Sequence, residues 1–107
     1  MKALNNIKFI CDATTTFNSW VDRIDSAADY EEARRFGSAA IGFADCMTVY
    51  LNAMFCSENN DFTAELDEMI EAWQYTVYQH MASKAIETRQ DSNTVIAMLR
   101  MRDAHAA

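Results

Sequence analysis

Two histidines, three cysteines and 16 acidic residues are the side chains of this 107-residue sequence that could support acid–base, nucleophilic or metal chemistry. Their spacing matches no G-x-S-x-G, H-E-x-x-H, phosphate-binding-loop or dinucleotide-binding pattern. Di-iron helical bundles use Glu-x-x-His pairs, and neither His80 nor His105 has a glutamate three positions earlier. We therefore expect no catalytic residue, no metal site and no cofactor, and a protein that is not an enzyme.

The cysteines Cys11, Cys46 and Cys56 are odd in number and fit neither a zinc pattern nor a C-x-x-C redox motif. Reduced thiols are typical of the cytoplasm, which is the expected location.

His80 falls on the apolar side of a predicted helix. For a histidine in that position, a hydrogen bond to a neighbour such as Asp45 is a commoner role than metal ligation.

The segment RMRDAH, from Arg100 to His105, offers one catalytic alternative. It is similar to the R-x4-H pattern of HEPN-type ribonucleases, which are also small helical bundles. The resemblance covers six residues. It implies RNA cleavage at a site that Arg100 and His105 would form at a dimer interface.

Acidic residues dominate the middle of the chain. From Phe36 to Ser83 there are seven aspartates and glutamates and no lysine or arginine, whereas the remaining positions hold nine acidic and nine basic residues. The whole net charge of −7 therefore originates in this span. Six of its acidic residues lie between Cys56 and Ala72.

Some of these acidic residues have a purely structural explanation, because carboxylates near a helix N-terminus are stabilised by the unpaired N–H groups there. That explanation covers Asp61 and Glu65. A second group lies deeper in the predicted third helix, on the side opposite its apolar residues, and no lysine stands four positions away to pair with it. This group is the candidate partner-binding face: Asp67, Glu68, Glu71, Tyr75 and Tyr78.

The simplest alternative for this face is a solvated surface. If it binds a partner, that partner should be a basic protein or protein complex, such as one that binds nucleic acid. Direct binding to nucleic acid is disfavoured because a net acidic domain repels phosphate. The expected function is an acidic inhibitor that occludes a basic surface, and by fold-level analogy it resembles phage and mobile-element proteins that block host or defence machinery. The other alternative is a small-molecule- or nucleotide-binding oligomer, with methionines and aromatic residues lining the pocket.

Four helical segments position these side chains, and each shows apolar residues at steps of three and four. They run from Lys2 to about Ile24, from about Tyr30 to Phe55, from about Phe62 to Arg89, and onward from Thr94. The breaks of four or five residues between them predict that successive helices pack antiparallel. We expect an all-α fold, a small antiparallel helical bundle in which residues 1–107 form a single domain.

The second and third helices have the clearest capping signals and core patterns. Asp29 followed by Glu32 has the form of a capping box, and Asn60 or Asp61 is the expected N-cap of the third helix. The expected core residues of the second helix are Ala33, Phe36, Ala40, Ala44, Met47, Leu51 and Met54. Those of the third are Phe62, Leu66, Met69, Trp73, Val77 and either His80 or Met81.

The second helix carries another stripe, of small residues, on its opposite side. A helix that is apolar all round is usually buried, and a mid-helix glycine needs a packing reason. The stripe is therefore either covered by the other helices of the same chain or forms the interface of a two-fold homodimer. We expect the homodimer, with an interface of Ala39, Gly42, Cys46, Val49 and Ala53.

No segment is expected to enter a membrane. The longest stretch of low charge, from Phe36 to Cys56, contains Asp45 and Asn52. An aspartate at mid-membrane costs about 2.5–3.5 kcal/mol on insertion scales. The polar residues near the N-terminus interrupt any apolar run, so a signal peptide is not expected either.

Overall fold

The computed structural model describes the backbone of residues 2–55 and 60–106, and the side chains of residues 7–53 and 64–106. These parts form four helices, α1 (Lys2–Ser26), α2 (Tyr30–Phe55), α3 (Asn60–Glu87) and α4 (Ser92–Ala104), without a strand. The all-α bundle of three long helices and a short one is confirmed. The predictions for the N-cap at Asn60 or Asp61 and for the side chains of Met54, Cys56 and Phe62 lie outside the described residues.

Capping side chains account for several helix ends. The N–H of Glu32 donates to the Asp29 carboxylate at 2.8 Å, which starts α2 as the sequence predicts. The N–H of Thr94 donates to Asp91 at 2.8 Å and starts α4 in the same way. This bond to the charged form holds the pKa of Asp91 below its usual value.

The C-terminus of α3 is a Schellman motif. The N–H of Gln90 donates to the Ala85 carbonyl at 2.9 Å, and that of Arg89 donates to the Ile86 carbonyl at 3.1 Å. Arg89 has φ 59°, the left-handed conformation that glycine usually takes at this position. The chain therefore turns sharply between α3 and α4 within four residues, Thr88 to Asp91.

The core lies where α1, α2 and α3 meet. Phe17 is 1% exposed, and its ring stacks on Trp73 with 4.6 Å between centroids; Trp73 also stacks on Phe43 at 6.1 Å. The core expected for α2 and α3 is found in place wherever their side chains are described. Buried there are Ala33, Ala40, Ala44, Met47, Leu51, Leu66, Trp73, Val77 and Met81, and half-buried are Phe36 and Met69. The apolar spacing also favoured Ile7 and Cys11 of α1 and Ile96 and Met101 of α4 as inward-facing residues, and these four are exposed.

Contacts between helices follow a simple order. Phe9 of α1 stacks on Tyr50 of α2 with centroids 5.0 Å apart, and Trp20 lies 6.3 Å from Phe36, so later positions of α1 meet earlier positions of α2. Among the described residues α4 lies against α3 and not against α1 or α2. The resulting body is elongated, with extents of 49 × 24 × 15 Å and a radius of gyration of 15.3 Å.

A polar cluster ties the end of α1 to α3. The Lys84 amine, in a side chain only 5% exposed, donates to the Asp25 carbonyl at 3.0 Å, where the last carbonyls of α1 lack helical partners. His80 Nδ1 lies 2.7 Å from the Asp25 carboxylate. The expected bond between His80 and Asp45 is therefore wrong. Asp45 accepts from Gln74 Nε2 at 2.8 Å instead, six residues or about 9 Å along α3 from His80.

Candidate functional site

The acidic residues of α3 point to solvent because the opposite side of the helix is core. Leu66, Ile70 and Trp73 are buried against α1 and α2, while Asp67 and Glu68 are exposed. No ion pair or hydrogen bond involves the Asp67 or Glu68 carboxylates within the described parts of the chain. Two full negative charges are therefore available to a partner on this side of α3.

The C-terminal end of α4 packs on the same side of α3. His105 Nδ1 lies 2.7 Å from Glu71 Oε2, and the His105 ring stacks on Tyr78 with centroids 5.8 Å apart and an interplanar angle of 4°. The guanidinium of Arg102 lies 5.7 Å from the centre of the Tyr75 ring. These contacts place an imidazole and a guanidinium from the end of α4 against the acidic side of α3, and the guanidinium also pairs with Asp103 Oδ1 at 2.9 Å.

All five residues predicted for the partner-binding face thus lie on one side of α3, and α4 divides them into two groups. Asp67 and Glu68 are open to solvent. Glu71, Tyr75 and Tyr78 each contact Arg102 or His105, and both tyrosines are half-buried. This cover could not be predicted from the sequence, because side-chain spacing within α3 carries no information about a segment some 30 positions later.

Grooves flank the acidic residues on two sides. One, of about 810 Å³, lies between α3 and the end of α4 and is lined by Asp67, Glu68, Glu71, Tyr75 and His105 among others. The other, of about 470 Å³, lies between α2 and α3 and adds Asp45 and Gln74 to Asp67 and Glu71. Asp67 and Glu71 therefore form an acidic ridge with a depression on either side.

The hydroxyl of Tyr78 on this face stays protonated. Burial raises the pKa of Tyr78, and the nearby negative charge of Asp45 raises that pKa further. Neutral tyrosines beside carboxylates can bind a cationic side chain, since the ring face attracts the charge and the carboxylates accept its hydrogen bonds. This chemistry suits lysine or arginine of a protein partner.

The stripe of small residues on α2 is open. Gly42, Cys46, Val49 and Ala53 are exposed, Val49 to 72%, and Ala39 is half-buried. Gly42, Cys46 and Val49 are not covered by a described helix of the same chain, as they would be in a helix enclosed on both sides. A Cβ atom built at Gly42 meets no atom within 4 Å, so nothing in the protomer requires glycine there.

A third groove, of about 340 Å³, provides a place for the small-molecule alternative. It lies between α2 and α3 beside Met98 of α4, and Val77, Met81 and Met98 contribute to its apolar lining. Arg34 and Asp45 are its charged neighbours. The volume is at the lower end of the range for ligand pockets.

The two histidines each meet a carboxylate, but the groups needed for nucleophilic chemistry are not beside them. Across the described residues, no serine or cysteine side chain bonds to His80 or His105. Arg100 is exposed, whereas His105 faces α3. Five residues correspond to about 140° around a helix, which separates Arg100 from His105 within one protomer.

Neither a metal cluster nor a membrane span is found in the part of the chain that the structure describes. No group of three His, Cys, Asp or Glu residues there could hold a metal ion. None of the described helices is long and apolar enough to cross a bilayer.

No protein-family model matches the chain, and no curated protein or solved structure matches it significantly either.

Proposed function

We propose that the protein is a non-enzymatic binding module that docks its acidic face on a basic surface of a macromolecular target and blocks it. The observation that carries this proposal is the one-sided charge of the central span, which has seven acidic residues and no lysine or arginine from Phe36 to Ser83. Three of these, Asp67, Glu68 and Glu71, share one side of α3 with two tyrosines. Complementary charge speeds association and selects the partner.

The size of the face is compatible with this role. From Asp67 to Tyr78 it extends about 16 Å along α3, at 1.5 Å per residue. A specific interface buries about 800 Å² on each partner, about one eighth of the 6743 Å² surface of this chain. The target must therefore also contact the grooves beside the ridge, which adds Asp45 of α2 to the contact area.

The target is a basic protein or protein complex, such as one that binds nucleic acid through a cationic groove. The proposed mechanism is occlusion, because a bound acidic rod would cover such a groove. Inhibitors carried by phages and mobile elements against host or defence machinery are the analogous class, and this comparison rests on fold and charge alone.

Affinity capture from extract of the source cells tests the proposal. The immobilised protein is exposed to extract at low and at moderate salt, and the retained proteins are identified by mass spectrometry. We expect a basic protein or complex that is retained at low salt and released as salt rises, because salt screens exposed charges. An unrelated acidic protein of equal net charge is the control bait. If both baits retain the same proteins, or neither retains any, the proposal is wrong.

We also propose that the protein is a two-fold homodimer through the small-residue stripe of α2. Replacing Gly42 with leucine should convert a dimer, of twice 12.2 kDa, into a monomer of 12.2 kDa. The added Cβ atom has free space among the described residues of the protomer, but the leucine side chain would hold two α2 helices apart. Sedimentation equilibrium measures the mass of both proteins.

Gly37 provides the contrasting substitution on the same helix. A Cβ atom at Gly37 would lie 2.8 Å from the sulfur of the buried Met81, so Gly37→Leu should lose about 1–3 kcal/mol of stability through overpacking. Gly42→Leu should lose none. A Gly42→Leu protein that keeps the dimer mass would place the interface elsewhere, and a wild-type monomer would remove the homodimer altogether.

A further inference from the structure

Helix α4 packs on α3 without a fully buried side chain of its own. None of its 13 residues is buried, and Ile96 and Met101 are 43% and 41% exposed. Val95, Met98 and Leu99 are half-buried, and of these three Met98 packs against the core of α1, α2 and α3. The free energy of local opening is smallest for segments that bury little apolar surface.

Polar contacts near its C-terminus hold α4 on the acidic face. Arg102 donates from Nη1 to Gln79 Oε1 at 2.7 Å and lies over Tyr75, while His105 contacts Glu71 and Tyr78. A cation on a tyrosine ring and a ring nitrogen on a carboxylate are the contacts that a basic partner would make on this face. The chain therefore supplies in cis the type of group that the proposed target supplies in trans.

The connection to α3 allows α4 to move as a unit. The joint is the four-residue turn after α3, with Arg89 in the left-handed conformation. Asp91 caps α4 from within its own segment, so the start of the helix does not depend on contact with α3. Opening would break the side-chain contacts of Arg102 and His105 and leave the core of α1, α2 and α3 intact.

We infer that α4 is a self-covering segment, whose Arg102 and His105 occupy the Glu71, Tyr75 and Tyr78 half of the acidic face until a basic partner displaces them. This inference rests on the proposed function. Because the partner binds fully only when α4 has moved, the closed state lowers the apparent affinity in proportion to its population. Weakening the closed state should therefore strengthen binding.

The test uses the full chain with Arg102→Ala and His105→Ala together, and a nine-residue arginine peptide as the probe. Calorimetric titration at low salt should show the double variant binding the peptide at least about five-fold more tightly than wild type, at the lower bound of usual coupling energies. Hydrogen exchange should show faster exchange of the α4 amides in the double variant, while the α3 core amides stay protected.

Arg100→Ala is the matched control, because it removes one formal positive charge from an exposed position of α4, as Arg102→Ala does at the covered face. It should change the peptide affinity less than about two-fold, as expected for a screened surface charge. Equal affinities of the control and the double variant would refute the covering role and leave the proposed function standing. Absence of peptide binding by all three proteins would refute the acidic face as a binding surface, and the covering role with it.

Discussion

Replacing Asp67, Glu68 and Glu71 together with lysine is expected to abolish binding of the basic target, with an affinity loss of at least about 100-fold. Each exposed ion pair that is lost contributes up to about 1 kcal/mol, and like charges brought together at the interface cost several kcal/mol more. Helix content should be unaffected, because the carboxylates of Asp67 and Glu68 make no described contact within the protein and Glu71 contacts His105 at the end of α4, outside the core. Titration calorimetry with the captured target measures the loss, and circular dichroism checks the helix content.

A variant with the same change of net charge separates local from global electrostatics. Lysine in place of Asp12, Asp22 and Glu31 changes exposed positions on α1 and at the start of α2, away from the acidic face. It should retain most of the affinity at moderate salt, where charges farther apart than about 8–10 Å are screened. Equal losses in the two variants would show that overall charge, and not this face, attracts the target. Unchanged affinity of the first variant would mean that the face is only a solvated surface without a role in binding.

Phe17→Ala should have the largest effect on stability, a loss of about 3–5 kcal/mol in the free energy of unfolding. The Phe17 ring is 1% exposed and lies flat on Trp73 at the meeting point of three helices. Its removal leaves a cavity that a rigid aromatic neighbour cannot fill. The loss is a large part of the 5–15 kcal/mol typical of a domain, and urea denaturation followed by circular dichroism measures it.

Phe9→Ala is the matched control on the same helix. Phe9 is half-buried and stacks on the exposed ring of Tyr50, near one end of the bundle. The truncated site can take up water and collapse. The free energy of unfolding should therefore fall by about 1–1.5 kcal/mol, near the contribution of an aromatic pair. Equal losses for both variants would mean that the core is not centred on the Phe17–Trp73 stack.

The helices could be predicted from sequence because their signals are local. The three-four spacing of Ala40, Ala44, Met47 and Leu51 marks the buried side of α2 without knowledge of its neighbours. The start of that helix is encoded in Asp29, whose carboxylate accepts the N–H of Glu32. The outward position of Asp67 and Glu68 follows from the same periodicity, since Leu66 and Trp73 fix the inward side.

Contacts between distant parts of the chain could not be predicted in this way. The helical period places Tyr75 and Tyr78 away from the core, but it does not show that α4 returns to cover them. Lys84 lies in the last turn of α3, where the helix dipole favours a cation, and its position in α3 does not indicate that its amine also bonds the last turn of α1. The partner of His80 depended on the alignment of α1 with α3, which no spacing rule specifies.

The elongated shape of the protein affects how its oligomeric state has to be measured. A compact chain of about 100 residues has a radius of gyration near 13 Å, whereas this one has 15.3 Å and is three times longer than it is thick, 49 Å against 15 Å. A rod diffuses more slowly than a sphere of the same mass and leaves a gel-filtration column early. Its elution volume alone would therefore make a monomer resemble a dimer, and the hydrodynamic radius of each glycine variant should be read only beside a direct determination of mass.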